Sequence, residues 1–230
     1  MKEKVLIFSG AGVSAESGLR TFRDMGGLWN EYAVEEVASP EGWAKNPELV
    51  LRFYNERRRA VISAQPNEAH RAIARLEEFF DVVVITQNID DLHERAGSSK
   101  VIHLHGEIVR ARSSVDPNLT CQLDGADLEI GDTCEKGSQL RPDVVWFGEE
   151  VRLMRAAEKY VANAERIITV GTSLTVHPAA GLLKKAKFSS EKYLVSVDEM
   201  HPPYGHRFLR GSATMVVPHI VNCWIAGRKP

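Results

Sequence analysis

Short, mostly apolar runs recur along the chain and constrain its fold more than any other feature. They lie at residues 5–8, 82–86, 166–171 and 193–197, and a shorter run follows at 215–217. Strands that are apolar on both faces are typical of a parallel sheet with helices on either side, because a strand with one face in water would alternate. The sequence therefore predicts an α/β fold with a doubly wound, Rossmann-like parallel sheet.

Two segments interrupt this pattern and are predicted to form a smaller lobe. Residues 20–65 read as loops and helices without a clear strand, and residues 107–143 are polar and rich in turn signals. We expect one domain over residues 1–230. Its large lobe would comprise approximately residues 1–20, 66–106 and 144–230, and its small lobe would consist of insertions at approximately 21–65 and 107–143.

Charge and cysteine content narrow the possible partners. With 29 basic and 31 acidic residues the net charge is −2, so neither nucleic acid nor a membrane surface is an expected partner, and nothing indicates an oligomeric state. Cys121, Cys134 and Cys223 are widely spaced, which argues against disulfides and suits a reducing compartment. No apolar run approaches the roughly 20 residues that span a bilayer, and no leader precedes the first strand, so a cytoplasmic location is expected.

A glycine-rich turn follows the first apolar run. The segment GAGVSAESG at residues 10–18 has the strand, glycine turn, helix order that binds a pyrophosphate. Gly10 and Gly12 would let backbone N–H groups approach the phosphates, and Ser14 could add a hydroxyl. The acidic residue that a dehydrogenase carries about 20 positions later is not evident, so a nicotinamide-dependent oxidoreductase is the weakest interpretation.

Polar residues also follow the other strands, at the edge where parallel sheets bind their ligands. An amide and a carboxylate after run 82–86 could bind a carboxamide and a ribose, and histidines follow shortly afterwards. We expect one histidine to be a general base, because the cysteines lie too far away to complete a metal site. The residues are Gln87, Asn88, Asp90, Gly171, Thr172, Ser173 and Ser196 at strand ends, with His93, His103 and His105 downstream.

The segment TFRD at residues 21–24 lies among glycines after the first predicted helix. It predicts either a loop that closes over a bound cofactor or an ordinary surface turn.

Seven motifs in order resemble the sirtuins, a family of NAD-dependent protein lysine deacylases, over nearly the whole chain. They are GAGVSAESG at 10–18, TFRD at 21–24, TQNID at 86–90, HLHG at 103–106, LRPDVVWFGE at 140–149, GTSLTVHPAA at 171–180 and GSATMVVP at 211–218. The resemblance implies that NAD is consumed as a co-substrate and that nicotinamide and O-acyl-ADP-ribose are the products.

Residue roles follow from the same resemblance. It implies that His105 is the catalytic base, that His103 is a structural neighbour, and that Asn88 and Asp90 hold the nicotinamide and ribose end of NAD. Ser196 stands where the family often has an adenosine-side asparagine. The implied NAD-binding residues are Gly10, Ala11, Gly12, Ser14, Glu16, Thr21, Phe22, Arg23, Gln87, Asn88, Asp90, Gly171, Thr172, Ser173, Ser196 and Ala213.

Residues on the substrate side are also implied. Val145, Trp146, Phe147 and Gly148 match the segment that binds the acylated lysine of a protein substrate, with Phe147 as a tunnel wall. Tyr54 and Arg57 are three residues apart on a predicted helix, where a phenol and a guanidinium could together bind a carboxylate. The pair resembles the mark of the sirtuin class that removes succinyl, malonyl or glutaryl groups, and Ala15 agrees with that class. Desuccinylation is therefore expected to be faster than deacetylation.

The chain departs from most sirtuins in the segment 107–143. Where the family usually has a first cysteine pair for a structural zinc, this chain has Arg112-Ser113-Ser114, and only Cys134 stands at the second pair. Two thiols cannot complete a tetrahedral structural site, so zinc is predicted to be absent.

Three further interpretations stay open beside the acidic-acyl deacylase. The chain could be a general protein deacetylase, or a mono-ADP-ribosyltransferase that uses the same cleaved glycosidic bond. It could also be a non-catalytic NAD-binding sensor, although Asn88, Asp90 and His105 together argue against that. Release of free nicotinamide separates a sensor, which releases none, from the enzymes.

Overall fold

The computed structural model describes residues 2–21 and 32–230. Within these ranges the larger sheet has six strands, and every neighbouring pair runs parallel. The prediction of a doubly wound α/β fold is confirmed. The strands in chain order are β1 (Lys4–Ser9), β2 (Asp81–Thr86), β3 (Val101–His103), β4 (Gly106–Ser113), β5 (Thr120–Gln122), β6 (Leu140–Val144), β7 (Arg166–Val170), β8 (Glu191–Ser196) and β9 (Arg207–Arg210).

The parallel sheet has the order β3-β2-β1-β7-β8-β9, so β1 lies between β2 and β7. In this register Ser9, the last residue of β1, is paired with Thr86 of β2 and Val170 of β7. The segments that follow these three strands therefore leave the sheet side by side. This arrangement places the glycine turn, the TQNID segment and the GTS segment at one edge.

Helices cover both faces of the parallel sheet. The helices are α1 (Gly12–Ala15), α2 (Val34–Val37), α3 (Pro40–Lys45), α4 (Pro47–Ser63), α5 (Glu68–Arg75), α6 (Leu92–Arg95), α7 (Met154–Asn163) and α8 (Ala213–Ile225). Residues of α5 and α8 pack on one face in a core that includes Ile73 and Trp224, both fully buried. On the other face α7 and a 3₁₀ segment, Ala179–Lys185, pack against Leu6 and Phe8. Apolar strand faces on both sides are thus shielded from water.

One predicted strand is wrong. The apolar run at 215–217 belongs to helix α8, whose apolar residues Val217, Ile220 and Trp224 pack on the sheet at helical spacing. A run of three apolar residues cannot by itself distinguish a strand from one side of a helix. The strand at this end of the sheet is instead β9 (Arg207–Arg210), which pairs with β8.

A smaller antiparallel sheet, β5-β4-β6, forms the second lobe together with α4. Its apolar residues pack on two sides of this helix. Leu51 contacts a cluster with Leu128 and Leu140, whereas Phe53 and Tyr54 belong to a cluster with Trp146. Helices and a small sheet from separate segments of the chain thus share one core.

Helix α4 begins and ends where its sequence directs. The Asn46 side chain accepts a hydrogen bond from Leu49 N (3.0 Å), and Pro47 occupies the first helical position, where a missing N–H costs nothing. Ala64 is already extended, two residues before Pro66. Within the described ranges, no helix has the length and apolar character needed to cross a membrane.

Candidate active site

The glycine turn packs backbone to backbone against the loop after β7. A Cβ on Gly10 would lie 2.7 Å from Gly171 O, and a Cβ on Gly171, whose φ is +65°, would lie 2.2 Å from Val13 N. Gly10 N donates to Val170 O (3.0 Å), and Gly12 N donates to Gly171 O (2.8 Å). These two N–H groups thus already have acceptors, and the role of Gly10 and Gly12 in binding NAD stays a prediction. Both glycines permit the close approach of two loops.

A serine joins the polar residues after β2 to the glycine turn. Ser14 Oγ accepts a hydrogen bond from Asn88 Nδ2 (3.1 Å) and also hydrogen-bonds to the carboxylate of Asp90. Both Asn88 and Asp90 are buried. Burial raises the pKa of Asp90, although hydrogen bonds from Leu92 N and Ser14 oppose that change. The site thus holds an amide, a hydroxyl and a carboxylate in one hydrogen-bonded unit.

The orientation of His105 fixes which of its ring nitrogens can act as a base. Nδ1 lies 2.9 Å from Gln87 O, and because a carbonyl only accepts, Nδ1 carries the hydrogen of the neutral ring. Nε2 is then the unprotonated nitrogen. Burial lowers the pKa of His105 below 6.5, despite the opposing effect of the Gln87 carbonyl. The imidazole is therefore neutral at pH 7 and able to accept a proton.

The other two histidines have different surroundings. His103 Nδ1 donates to Asn88 O (3.0 Å), and its Nε2 lies 2.8 Å from Glu94 Oε1. Burial alone would lower the pKa of His103, but the hydrogen bond and charge of Glu94 raise it. Its role as a structural neighbour, implied by the family resemblance, stays a prediction. His93 is fully buried against Ser9 Oγ (3.0 Å).

Helix α4 carries the second half of the site. Tyr54 is 3% exposed, and burial raises its pKa to about 12, so the phenol stays protonated at neutral pH. Burial lowers the pKa of Arg57 to about 10, although the electrostatic effects of Tyr54 and Asp90 oppose that change. Arg57 thus stays cationic beside a phenol and near the carboxylate of the other half.

The segment after β6 spans the two halves. Val145 N donates to His105 O (2.9 Å), and Phe147 N donates to Ala38 O (3.0 Å). Trp146 N donates to Glu149 Oε2 (2.8 Å). Because these three N–H groups have acceptors, an extended peptide that pairs with the segment must use Gly148 or carbonyl oxygens. Phe147 is 52% exposed, as a residue that contacts a substrate would be.

Sequence reasoning missed an ion cluster of Arg112, Arg141 and Glu149, which contacts this segment. Glu149 accepts hydrogen bonds from Arg141 Nη1 (2.7 Å) and Arg112 Nη2 (2.9 Å) in addition to Trp146 N. Burial alone would raise the pKa of Glu149, but the hydrogen bonds of Arg141 and Trp146 and the charges of both arginines lower it. Arg141 and Glu149 stand within the motif LRPDVVWFGE, which was the only available signal.

The remaining predicted NAD-binding residues occupy several positions. Gln87 Nε2 donates to Thr172 Oγ1 (2.9 Å), which joins the ends of β2 and β7, and Ser173 Oγ contacts Thr175 Oγ1 (2.8 Å). Glu16 accepts a hydrogen bond from Thr214 N (3.1 Å), beside Ala213 at the start of α8.

Three further predicted positions have these locations. Ser196 is at the end of β8, where its Oγ accepts from Asp198 N (3.2 Å). Ala11 precedes α1, and Thr21 is half-buried. Phe22 and Arg23 lie outside the described residues.

A cluster of three or more histidine, cysteine or carboxylate ligands is absent from the part of the chain that the structure describes. Cys121 is exposed and Cys134 is partly buried, and neither forms a disulfide. The absence of zinc stays a prediction.

Comparison with known proteins gives a consistent assignment. A model of the Sir2 family matches residues 10–178. The chain is 52% identical over 193 residues to an NAD-dependent protein deacylase of Helicobacter pylori, covering 84% of this chain and 82% of that protein. It is 43% identical over 236 residues to an NAD-dependent protein deacylase of Shewanella oneidensis, covering 99% and 97%.

Solved structures are similar over almost the whole chain. A Sir2 homologue in complex with NAD superposes with a TM-score of 0.88 at 41% identity, covering 98% of this chain and 91% of that one. A Sir2 complex with a p53 peptide and NAD⁺ superposes with a TM-score of 0.78 at 27% identity, covering 96% and 93%.

Proposed function

The chain belongs to the Sir2 family, and from that membership we propose that it is an NAD-dependent protein lysine deacylase with a preference for acidic acyl groups. The acyl groups are succinyl, malonyl and glutaryl, each of which ends in a carboxylate. The co-substrate NAD and the acylated lysine of a protein are the two reactants. Relatives named as NAD-dependent protein deacylases and a homologue bound to NAD support the activity.

The donors and acceptors at the sheet edge fit NAD. A dinucleotide needs a narrow cradle, and the contact of Gly10 and Gly12 with Gly171 leaves no room there for side chains. A nicotinamide carboxamide and ribose hydroxyls need amide and carboxylate partners, which Asn88 and Asp90 supply from buried positions. When bound, NAD supplies a glycosidic carbon that becomes electrophilic as nicotinamide leaves.

Two residues handle charge and protons near that carbon. We assign Asp90 to stabilise the positive charge that develops when the glycosidic bond breaks, since its carboxylate is buried and water screens it little. Through Nε2, His105 accepts a proton from a ribose hydroxyl, and Gln87 O keeps the ring in the required tautomer. The acyl oxygen of the lysine substrate would replace nicotinamide on the glycosidic carbon, and the deprotonated hydroxyl would attack the acyl carbon. Addition of water would then release the lysine amine and leave the acyl group on ADP-ribose as an ester.

The preference for acidic acyl groups depends on one observation. Arg57 is a partly buried cation, and Tyr54 is a buried, protonated phenol. Both lie on the same face of α4, next to the segment proposed to bind the acyl-lysine. A carboxylate at the end of the acyl chain would pair with both. An acetyl group has no such partner and would leave the cation without a counter-charge from the substrate.

The test compares peptides that differ only in the acyl end. Succinyl-lysine, acetyl-lysine and the neutral succinamyl-lysine peptide are each incubated with protein and NAD, and loss of the acyl group is followed by mass spectrometry. We expect the succinyl group to be removed fastest, with O-succinyl-ADP-ribose as product, because only its carboxylate carries a charge that pairs with Arg57. The succinamyl group matches the size of the succinyl group but lacks its charge, so it isolates the effect of charge. Arg57→Met should remove that preference.

Arg52→Met is the matched control, because Arg52 lies on the same helix and is exposed. It should leave the ratio of succinyl to acetyl removal unchanged. Equal loss of both activities in Arg57→Met would contradict an acidic acyl site. Faster acetyl than succinyl removal by the unmodified protein would identify a general deacetylase, and nicotinamide release without deacylation would favour ADP-ribosyl transfer.

A further inference from the structure

The hydroxyl of Tyr54 makes a specific hydrogen bond inside the small lobe. The indole Nε1–H of Trp146 donates to Tyr54 Oη (3.1 Å), and both side chains are buried. An indole can only donate, so this contact occupies a lone pair of the phenol and leaves its hydrogen for another acceptor. The bond to Trp146 therefore favours Tyr54 as a hydrogen-bond donor towards a further acceptor beside it.

Trp146 is itself held from two sides. The Arg141 guanidinium lies over the Trp146 ring, 3.2 Å from the ring centroid. The backbone N of Trp146 donates to Glu149 Oε2. Glu149 in turn accepts from Arg141 and Arg112. Trp43 packs against the ring with centroids 5.8 Å apart. A stacked cation, a partly buried carboxylate and a second indole thus restrict the indole to one orientation.

We propose that Trp146, fixed by Arg141 and Glu149, is a positioning residue that makes Tyr54 a hydrogen-bond donor to the carboxylate of an acidic acyl group. This inference rests on the proposed function, because it concerns the same acyl site. Selectivity for acidic over neutral acyl chains then depends on the Trp146 N–H as well as on Tyr54 and Arg57. A residue classed by sequence as a substrate contact acts instead through its neighbour.

The arrangement also predicts which acyl groups bind less well at this site. With one acceptor position taken by Trp146, the phenol offers its hydrogen to a carboxylate, which only accepts. A neutral amide end can accept the same hydrogen, but its NH₂ group would face Arg57, which is a donor only. Selection against neutral polar ends therefore comes from two donors that both require an acceptor.

The experiment is a double-mutant cycle on kcat/KM for succinyl-lysine and acetyl-lysine peptides. Trp146→Phe keeps an aromatic ring but removes the N–H, and it is expected to lower succinyl kcat/KM about tenfold, mainly through KM, with acetyl kcat/KM within about twofold of the unmodified protein. In a Tyr54→Phe background the same change should have less than about a twofold effect on succinyl removal, because no hydroxyl remains to be oriented.

Trp224→Phe is the control, since it removes a buried indole whose N–H has no hydrogen-bond acceptor among the described residues and which lies in a different core cluster from Tyr54. It should leave the succinyl-to-acetyl ratio unchanged. Equal losses on both peptides in Trp146→Phe, or a succinyl loss that persists in the Tyr54→Phe background, would show a packing role and overturn the inference. An unaltered succinyl activity would overturn it too. If the unmodified protein shows no preference for succinyl over acetyl, the proposed acyl preference is wrong, and this inference is wrong as a consequence.

Discussion

Asn55→Ala should lower the free energy of unfolding more than replacement of an exposed asparagine by alanine. Asn55 is buried on α4, and its side chain pairs with both backbone groups of Leu128, 73 residues away. Nδ2 donates to Leu128 O (3.0 Å), and Oδ1 accepts from Leu128 N (3.0 Å) and from Arg58 Nη1 (2.7 Å). The amide therefore attaches the polar segment before β6 to the helix.

The magnitude follows from what alanine would leave behind. Leu128 is 1% exposed, so water cannot readily replace the lost partners of its N–H and C=O groups. Each buried group left without a partner costs about 1–3 kcal/mol, and because the Leu128 groups and Arg58 can relax together we expect a loss of about 3–4 kcal/mol in the free energy of unfolding. In a domain of this size that is a fall in Tm of about 6–16 °C.

Urea unfolding followed by tryptophan fluorescence measures the loss, because Trp43 and Trp146 both belong to the core next to this contact. Asn163→Ala is the control, since Asn163 is exposed and its side chain donates to Lys159 O, within its own helix. It should change the free energy of unfolding by less than about 0.5 kcal/mol. A loss below about 1 kcal/mol for Asn55→Ala would refute the argument that this amide holds the two segments together.

Three other outcomes are expected. The acidic limb of the pH profile of kcat/KM should fall below pH 6.5, because burial lowers the pKa of His105 and the base is lost only when pH drops through that pKa; a limb above 6.5 would contradict it. Gly171→Ala should raise KM for NAD at least about tenfold, because its new methyl group would displace the glycine turn. Gly137→Ala is the control, since Gly137 has a similar φ of +77° but open space around it, and it should leave KM unchanged. Equal KM values for the two variants in a nicotinamide-release assay would contradict a role of the Gly171 contact in binding NAD. Metal analysis of the purified protein should find no stoichiometric zinc, since Cys121 and Cys134 are too few to complete a site, and one zinc per chain would disprove this.

Much of the fold could be predicted from the sequence because its signals are local. Runs such as 5–8 and 82–86 are apolar on both strand faces, and only a sheet covered on both sides buries them. The same logic failed at 215–217, where helical spacing to Trp224 extended beyond the run. Strand β9 (Arg207–Arg210) was missed because its sequence, RFLR, carries charges at both ends, as an edge strand can.

By itself, the sequence determined the parallel sheet, the edge where the site lies and the residue types that gather there, because strand patterns and strand ends are properties of short segments. Tertiary structure alone decided how those residues are used. The His105 tautomer depends on Gln87 O, and the direction of the Tyr54 hydroxyl depends on Trp146, 92 residues away. A hydrogen bond between distant segments is set by how whole elements pack, and no local pattern carries that information.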